Sequence, residues 1–222
     1  MAMNRNVAIM IAAAALLLLL AISGIHPYDR LTWGMEIFPV LLALPILAAT
    51  FKRFPLTSLL YALIFIHAVI LMVGGHYSYA RVPLGYWIEG ILSLDRNPYD
   101  KIGHFAQGFV PAIAAREVLI RGRYVRTPRM LAFVVIAIVL AISAAYELLE
   151  WGSAMALGQN AEDFLATQGD PWDTQSDMLF ALIGGACALL FLARWHDRQI
   201  NSLRPQVGFS GFEEPPRTSK RT

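Results

Sequence analysis

Asp100, His104 and Gln107 stand four and three residues apart in the stretch Tyr99–Gln107, YDKIGHFAQ. On a helix that spacing places all three on one face. Pro111 falls on the same stripe. It has no N–H, so the Gln107 carbonyl loses its helical donor and is left for water, a ligand or a neighbour. A second stripe, Ser143, Glu147, Glu150 and Ala154, runs through YELLEW (Tyr146–Trp151). A third, Asp173, Asp177, Ala181, Gly184 and Ala188, begins in GDPWDTQSD (Gly169–Asp177), and its small residues permit close helix approach.

Three chemistries are open to this set. Imidazole with carboxylates suits zinc or manganese, and oxygen-rich sets suit magnesium or calcium. The candidate ligands for such a divalent metal are Asp100, His104, Glu147, Asp173 and Asp177, with Glu150 as an alternative to Glu147. The metal would activate water or polarise a phosphoryl or carbonyl oxygen. Without a metal, His104 with Glu147 or Glu150 can act as an acid–base pair, in an enzyme or in a proton-coupled transporter. In the third case the residues only pair with one another, with Lys101 and Arg96, and with helix ends, Asp173 capping the last helix. Gln107, Lys101, Tyr146 and Trp172 are the candidates to hold a ligand, the two aromatics serving otherwise as interface anchors. Ser143 and Ser176 have no base at a telling spacing.

The elements that carry these residues are membrane spans. The chain is 57% hydrophobic and 15% charged, with mean hydropathy +0.52. A soluble domain has about 25% charged residues. Six apolar runs, at about 7–25, 35–51, 56–74, 101–120, 130–151 and 177–195, match the ~20 residues that cross a bilayer. The first resembles a signal peptide at Ala21-Ile22-Ser23, but its length and the spans that follow favour a retained helix. The prediction is an all-α, six-span bundle over residues 1–196, with a polar, disordered tail over 197–222. The prolines at 39 and 45 are tolerated inside a membrane helix. Tyr77, Tyr79, Tyr86, Trp87 and Tyr99 read as headgroup-level aromatics, and Leu84–Leu94 as an interfacial helix or an anchored loop. His67 and Cys187 read as packing residues, Asp95 and Asn97 as turn residues, and Glu162 and Asp163 as a solvated loop face within the long stretch 152–176. The sequence has no nucleic-acid motif.

Charge orients the bundle. With the N-terminus inside, the inner segments hold Arg5, Lys52, Arg53, Arg116, Arg121, Arg123, Arg126, Arg129, Arg194, Arg198, Arg204, Arg217, Lys220 and Arg221, 14 of the 18 basic residues. The positive-inside rule then predicts both termini in the cytoplasm. Asp100, His104, Gln107, Glu147, Glu150, Asp173 and Asp177 all come to the outer side. The fourth run is apolar from Pro111 to Arg116, which favours a one-sided site over a continuous transport path.

The stretches NPYDKIGHFAQGFVPAIAARE, SAAYELLEW and FLATQGDPWDTQSDM closely resemble the YjdF-like family of bacterial inner-membrane proteins, over roughly residues 30–196. A looser likeness is to VanZ-like membrane proteins, associated with glycopeptide-antibiotic resistance. It rests on Asp100, Lys101, His104 and Phe105, then Glu147 and Glu150, then Asp173, Asp177 and Gly184, with Ala181 where those proteins tend to carry Asn. The resemblance implies a multi-pass inner-membrane protein with a shared polar site. Its expected partners are the bilayer and an envelope lipid or small polar ligand. Scaffold and transporter roles remain alternatives.

Overall fold

The computed structural model describes residues 4–157 and 168–203, and all of its regular elements are helices. They are α1 (Arg5–Ser23), α2 (Arg30–Glu36), α3 (Phe38–Thr50), α4 (Ser58–Tyr77), α5 (Pro83–Leu92), α6 (Tyr99–Arg121), α7 (Pro128–Leu157) and α8 (Asp173–Ser202). A 3-10 turn, Tyr79–Arg81, links α4 to α5. The tail beyond residue 203, and Glu162 and Asp163, lie outside the described residues.

Four of these helices, α1, α4, α7 and α8, are long and apolar enough to cross a membrane, and α2 with α3 make a fifth if read as one bent span. The bend is 41° and falls at Ile37. The sequence suggested one run over 35–51 with Pro39 tolerated inside it; instead Pro39 cannot donate to the Met35 carbonyl, and the helix breaks there. Before the break, the Asp29 carboxylate caps α2 by accepting the Thr32 N–H at 2.7 Å, and this bond holds its carboxyl below the usual range.

The centre of the molecule is α6. It buries Tyr99, Asp100, His104, Val110, Ala112 and Ile113, and α4, α7 and α8 pack around it. Against α8 the approach is at backbone level: a Cβ on Gly108 would overlap the Ala181 carbonyl, and one on Gly184 the Phe105 carbonyl. Small residues make this possible, as their stripe suggested. Outward, α1, α3 and α7 present Leu17, Leu18, Leu42, Phe133 and Leu148, each exposed over half its surface or more, as lipid-facing side chains require.

Several local expectations change. Tyr79 and Tyr99 are core residues, not headgroup anchors, and the Tyr99 hydroxyl donates to the Ile70 carbonyl at 3.1 Å. Tyr77, Tyr86 and Trp87 are exposed. The segment 84–94 is a helix as far as Leu92. Asp173 does not cap α8. It is the first helical residue, and its carboxylate faces two basic side chains. The last helix starts four residues before Asp177 and stays helical to Ser202, into the segment read as tail. A π-helical turn over Ala188–Leu192 absorbs an extra residue, so the buried stripe Asp173–Asp177–Ala181–Gly184–Ala188 continues to His196 on the face toward α6.

Helix ends sort into two sets. Arg5 of α1 bonds Ser58 and Leu56 at the start of α4, while Gln199 near the end of α8 accepts from Leu59, so these ends lie together with the C-terminus of α6. At the other pole meet the start of α6, the start of α8 and the polar end of α7.

Candidate functional site

At this second pole α6 and α8 lie against each other, and their carboxylates converge on two cations. The Lys101 ammonium donates to Asp177 Oδ1 at 2.6 Å and Asp173 Oδ1 at 2.8 Å, and stands 3.5 Å from Asp100 Oδ2. Arg96, from the loop before α6, donates to Asp173 at 2.9 Å and Asp170 at 2.8 Å. Asn97 holds that loop. It is 2% exposed, donates to the Val82 carbonyl, and accepts the Tyr99 N–H at the head of α6.

His104 lies one turn deeper and is 5% exposed. Its Nδ1 is 2.9 Å from Gln107 Oε1, and its Nε2 is 3.5 Å from Asp100 Oδ1 and 3.8 Å from Asp177 Oδ1. A carbonyl oxygen only accepts, so Nδ1 carries the proton toward Gln107. Nε2 then faces two carboxylates. A bare lone pair there would face carboxylate oxygens, so the position suits a second proton or a cation, next to the Lys101 ammonium that both carboxylates already meet. The ligand atoms of Asp100, His104 and Asp177 lie within 4.8 Å of one another, and all three residues are buried.

Glu147 comes in from α7, with Oε1 3.8 Å from His104 Nδ1 and no hydrogen-bond partner among the described residues. Ser143 Oγ, one turn below it, and His67 Nε2 are likewise unpartnered there. The Tyr146 ring stands edge-on to His104, 6.3 Å between centroids, and its hydroxyl donates to Glu36 at 3.1 Å. A cavity of about 130 Å³ lies among Glu36, His67, Asp100, His104, Tyr146 and Glu150. At ~30 Å³ per water it holds about four. Beside it, across the Lys101 side of α6, a wider groove of about 680 Å³ opens between α5, α6 and α8.

Of the residues singled out from sequence, Asp100, Lys101, His104, Gln107, Glu147, Asp173 and Asp177 therefore meet directly, and Tyr146 and Glu150 border the same cavity. Trp172 does not join them. It is 68% exposed and has its N–H on Asp170.

Residues 8–198 match the family described as a predicted membrane protein, DUF2238. Over 189 residues the chain is 58% identical to the inner membrane protein YjdF of Escherichia coli (strain K12), covering 85% of this chain and 90% of that one. The chain belongs to this family. It is an inner-membrane protein with several candidate spans, as its motifs implied. No solved structure matches it.

Sequence reading missed two features of this family member. The first is Glu36, which is 5% exposed at the α2–α3 break and faces Tyr146 and the His104 cavity. An acid at the outer edge of the second apolar run was the available signal. The second is a buried cluster at the opposite pole. Glu117, fully buried, accepts from Thr57 Oγ1 at 2.7 Å, Arg121 at 2.7 Å and His196 Nε2 at 2.9 Å. Arg116 stands 3.2 Å from His196 Nδ1 and donates to Asp197 at 2.7 Å. Arg116 only donates, so His196 Nδ1 accepts from it and Nε2 donates to Glu117. Every group in this cluster has a partner, which marks it as a clasp joining α4, α6 and α8.

Proposed function

We propose that the chain crosses the inner membrane six times, with both termini cytoplasmic and the His104 pole at the outer leaflet. The sixth crossing is α6. Its 23 residues rise ~35 Å, enough to span, and its polar groups point inward where neighbours meet them. The concentration of basic residues at the Arg5–Arg121 pole supports the orientation.

At the outer pole the chain binds a divalent metal and, beside it, an envelope lipid or small polar ligand. One observation carries this: His104 Nε2 faces Asp100 and Asp177 while Nδ1 is turned to Gln107. A metal-binding histidine is held this way, its second N–H given to a carbonyl or carboxylate. Separations of 3.5 and 3.8 Å between ligand atoms suit a small cation at about 2.0–2.2 Å from each. Zinc or manganese fits one imidazole with two carboxylates better than magnesium does. Asp173 belongs to the shell outside, where Lys101 and Arg96 hold it. Glu147, whose Oε1 stands 3.8 Å from the Nδ1 side of the ring with no partner among the described residues, would serve as the proton acceptor of such a site, and Glu150 and Tyr146 line the cavity beside it.

The test is elemental analysis of the purified protein, before and after supply of zinc or manganese. About one equivalent is expected, lost in His104→Ala and Asp177→Asn and kept in Asp170→Asn. Protein that never takes up a stoichiometric metal ends this reading. The runner-up then stands: Lys101, 2.6 Å from Asp177, is itself the cation of the cluster, and His104 carries a second proton in a proton-coupled transporter.

A further inference from the structure

We infer that the groove beside the metal-binding pole is a seat for one phospholipid whose head carries both a phosphate and a primary ammonium. The inference rests on the outer-leaflet placement proposed above, and it names the ligand class of that pole. The groove measures about 680 Å³, within the ~300–1,000 Å³ of ligand sites. Its wall is amphipathic. Leu92, Phe105 and Phe180 form an apolar side, and Asp95, Arg96, Lys101 and Asp170 form the polar end. The helix α5, which forms one bank, turns Leu84, Tyr86, Trp87 and Ile91 outward, each at least half exposed. A short helix with such a face lies at headgroup depth. The groove thus meets a lipid where its head joins its chains.

Charge selects the head. Of the two acids and two bases at the polar end, Arg96 and Asp170 already pair at 2.8 Å, and Asp95 alone has no ion-pair partner among the described residues. Behind it, Arg96 and Lys101 already face four carboxylates, those of Asp100, Asp170, Asp173 and Asp177. The surplus of negative charge repels a purely anionic head and attracts an ammonium. The ammonium goes to Asp95, which is exposed and has no ion-pair partner among the described residues, while the phosphate lies along Arg96 and Lys101. A carboxylate takes hydrogen bonds from a primary ammonium, and a quaternary one has no N–H to give. The apolar bank makes the lipid, rather than the free head, the occupant.

The experiment is native mass spectrometry of the detergent-solubilised full chain, exchanged against an equimolar mixture of phosphatidylethanolamine, phosphatidylglycerol and phosphatidylcholine. One bound phosphatidylethanolamine is expected, favoured about tenfold over either competitor and not displaced by millimolar free phosphoethanolamine. Asp95→Lys, a change at an exposed site, should fold and shift the preference to phosphatidylglycerol. Equal retention of the three lipids, or an unchanged order in Asp95→Lys, overturns the inference, and displacement by free phosphoethanolamine overturns the lipid as occupant. His104→Gln separates the two proposals. It should lose metal and keep the lipid order. Metal without lipid preference sinks only the groove, and lipid preference without metal sinks only the metal site.

Discussion

A buried imidazole is committed by what each nitrogen faces. In His104 that assignment rests on Gln107, three residues on along the same face of α6, through a 2.9 Å contact. Gln107→Leu removes the acceptor and frees the ring to flip or to take the other tautomer. Metal affinity should then fall ~10–100-fold, read by competition with a chromophoric zinc chelator in detergent, and Gln107→Glu should restore it. Unchanged affinity in the leucine variant would show that something other than Gln107 orients the ring. The pairing of these two residues was legible from spacing alone, because i and i+3 on a helix face the same way whatever surrounds them. Lys101 stood among the expected partners of the acids, and its ammonium does reach across to Asp173 and Asp177, 72 and 76 residues away. Glu117 and His196 escaped the sequence reading. Each sits among arginines that read as inner-side charge, and only the packed helices show that they are buried against each other.

Helices α6 and α8 carry the opposing halves of the site, so its dimensions are those of the helix contact. Glycine at 184 sets that contact, since any Cβ there meets the Phe105 carbonyl, a backbone atom that cannot swing aside. Gly184→Val should drive the helices apart. A loss of ~1–3 kcal/mol or more is expected, seen as a lower Tm in detergent, together with loss of the bound metal as Asp177 leaves His104. Gly152→Val is the control, because a Cβ there has nothing within 4 Å. If Gly184→Val keeps both Tm and metal, the close approach is not what holds the site. The small-residue stripe on α8 foretold this contact. The break at Ile37 was harder to foresee, because proline is compatible with an unbroken membrane helix when neighbours satisfy the freed carbonyl. The break matters to the site, since it turns Glu36 inward to Tyr146. The long apolar runs were readable because a bilayer demands them. Helix α6 differs: its 23 residues carry Asp100, Lys101, Arg116, Glu117 and Arg121, and neighbouring helices rather than lipid cover those groups.

Taken whole, the molecule is polar at both poles but differently so. At one, Glu36, Asp100, Glu147, Asp173 and Asp177 outnumber Lys101 and Arg96, and the site has a cavity and atoms without a partner among the described residues. At the other, arginines surround a closed, fully paired cluster around Glu117. A pole rich in arginine stays on the cytoplasmic side during insertion, since moving it across opposes the membrane potential at ~2.3 kcal/mol per charge per 100 mV. In the proposed orientation the open, acidic pole is the one that meets the envelope. Labelling tests this directly. In a Cys187→Ala background, Gly90→Cys places a thiol on α5 near the acidic pole, where a side chain has open space. Arg126→Cys places one in the exposed link between α6 and α7 at the basic pole. A membrane-impermeant maleimide applied to spheroplasts should modify Cys at position 90 and reach position 126 only after lysis. The reverse pattern would put the His104 site and its groove against the cytoplasmic leaflet, and the ligand would have to come from that side.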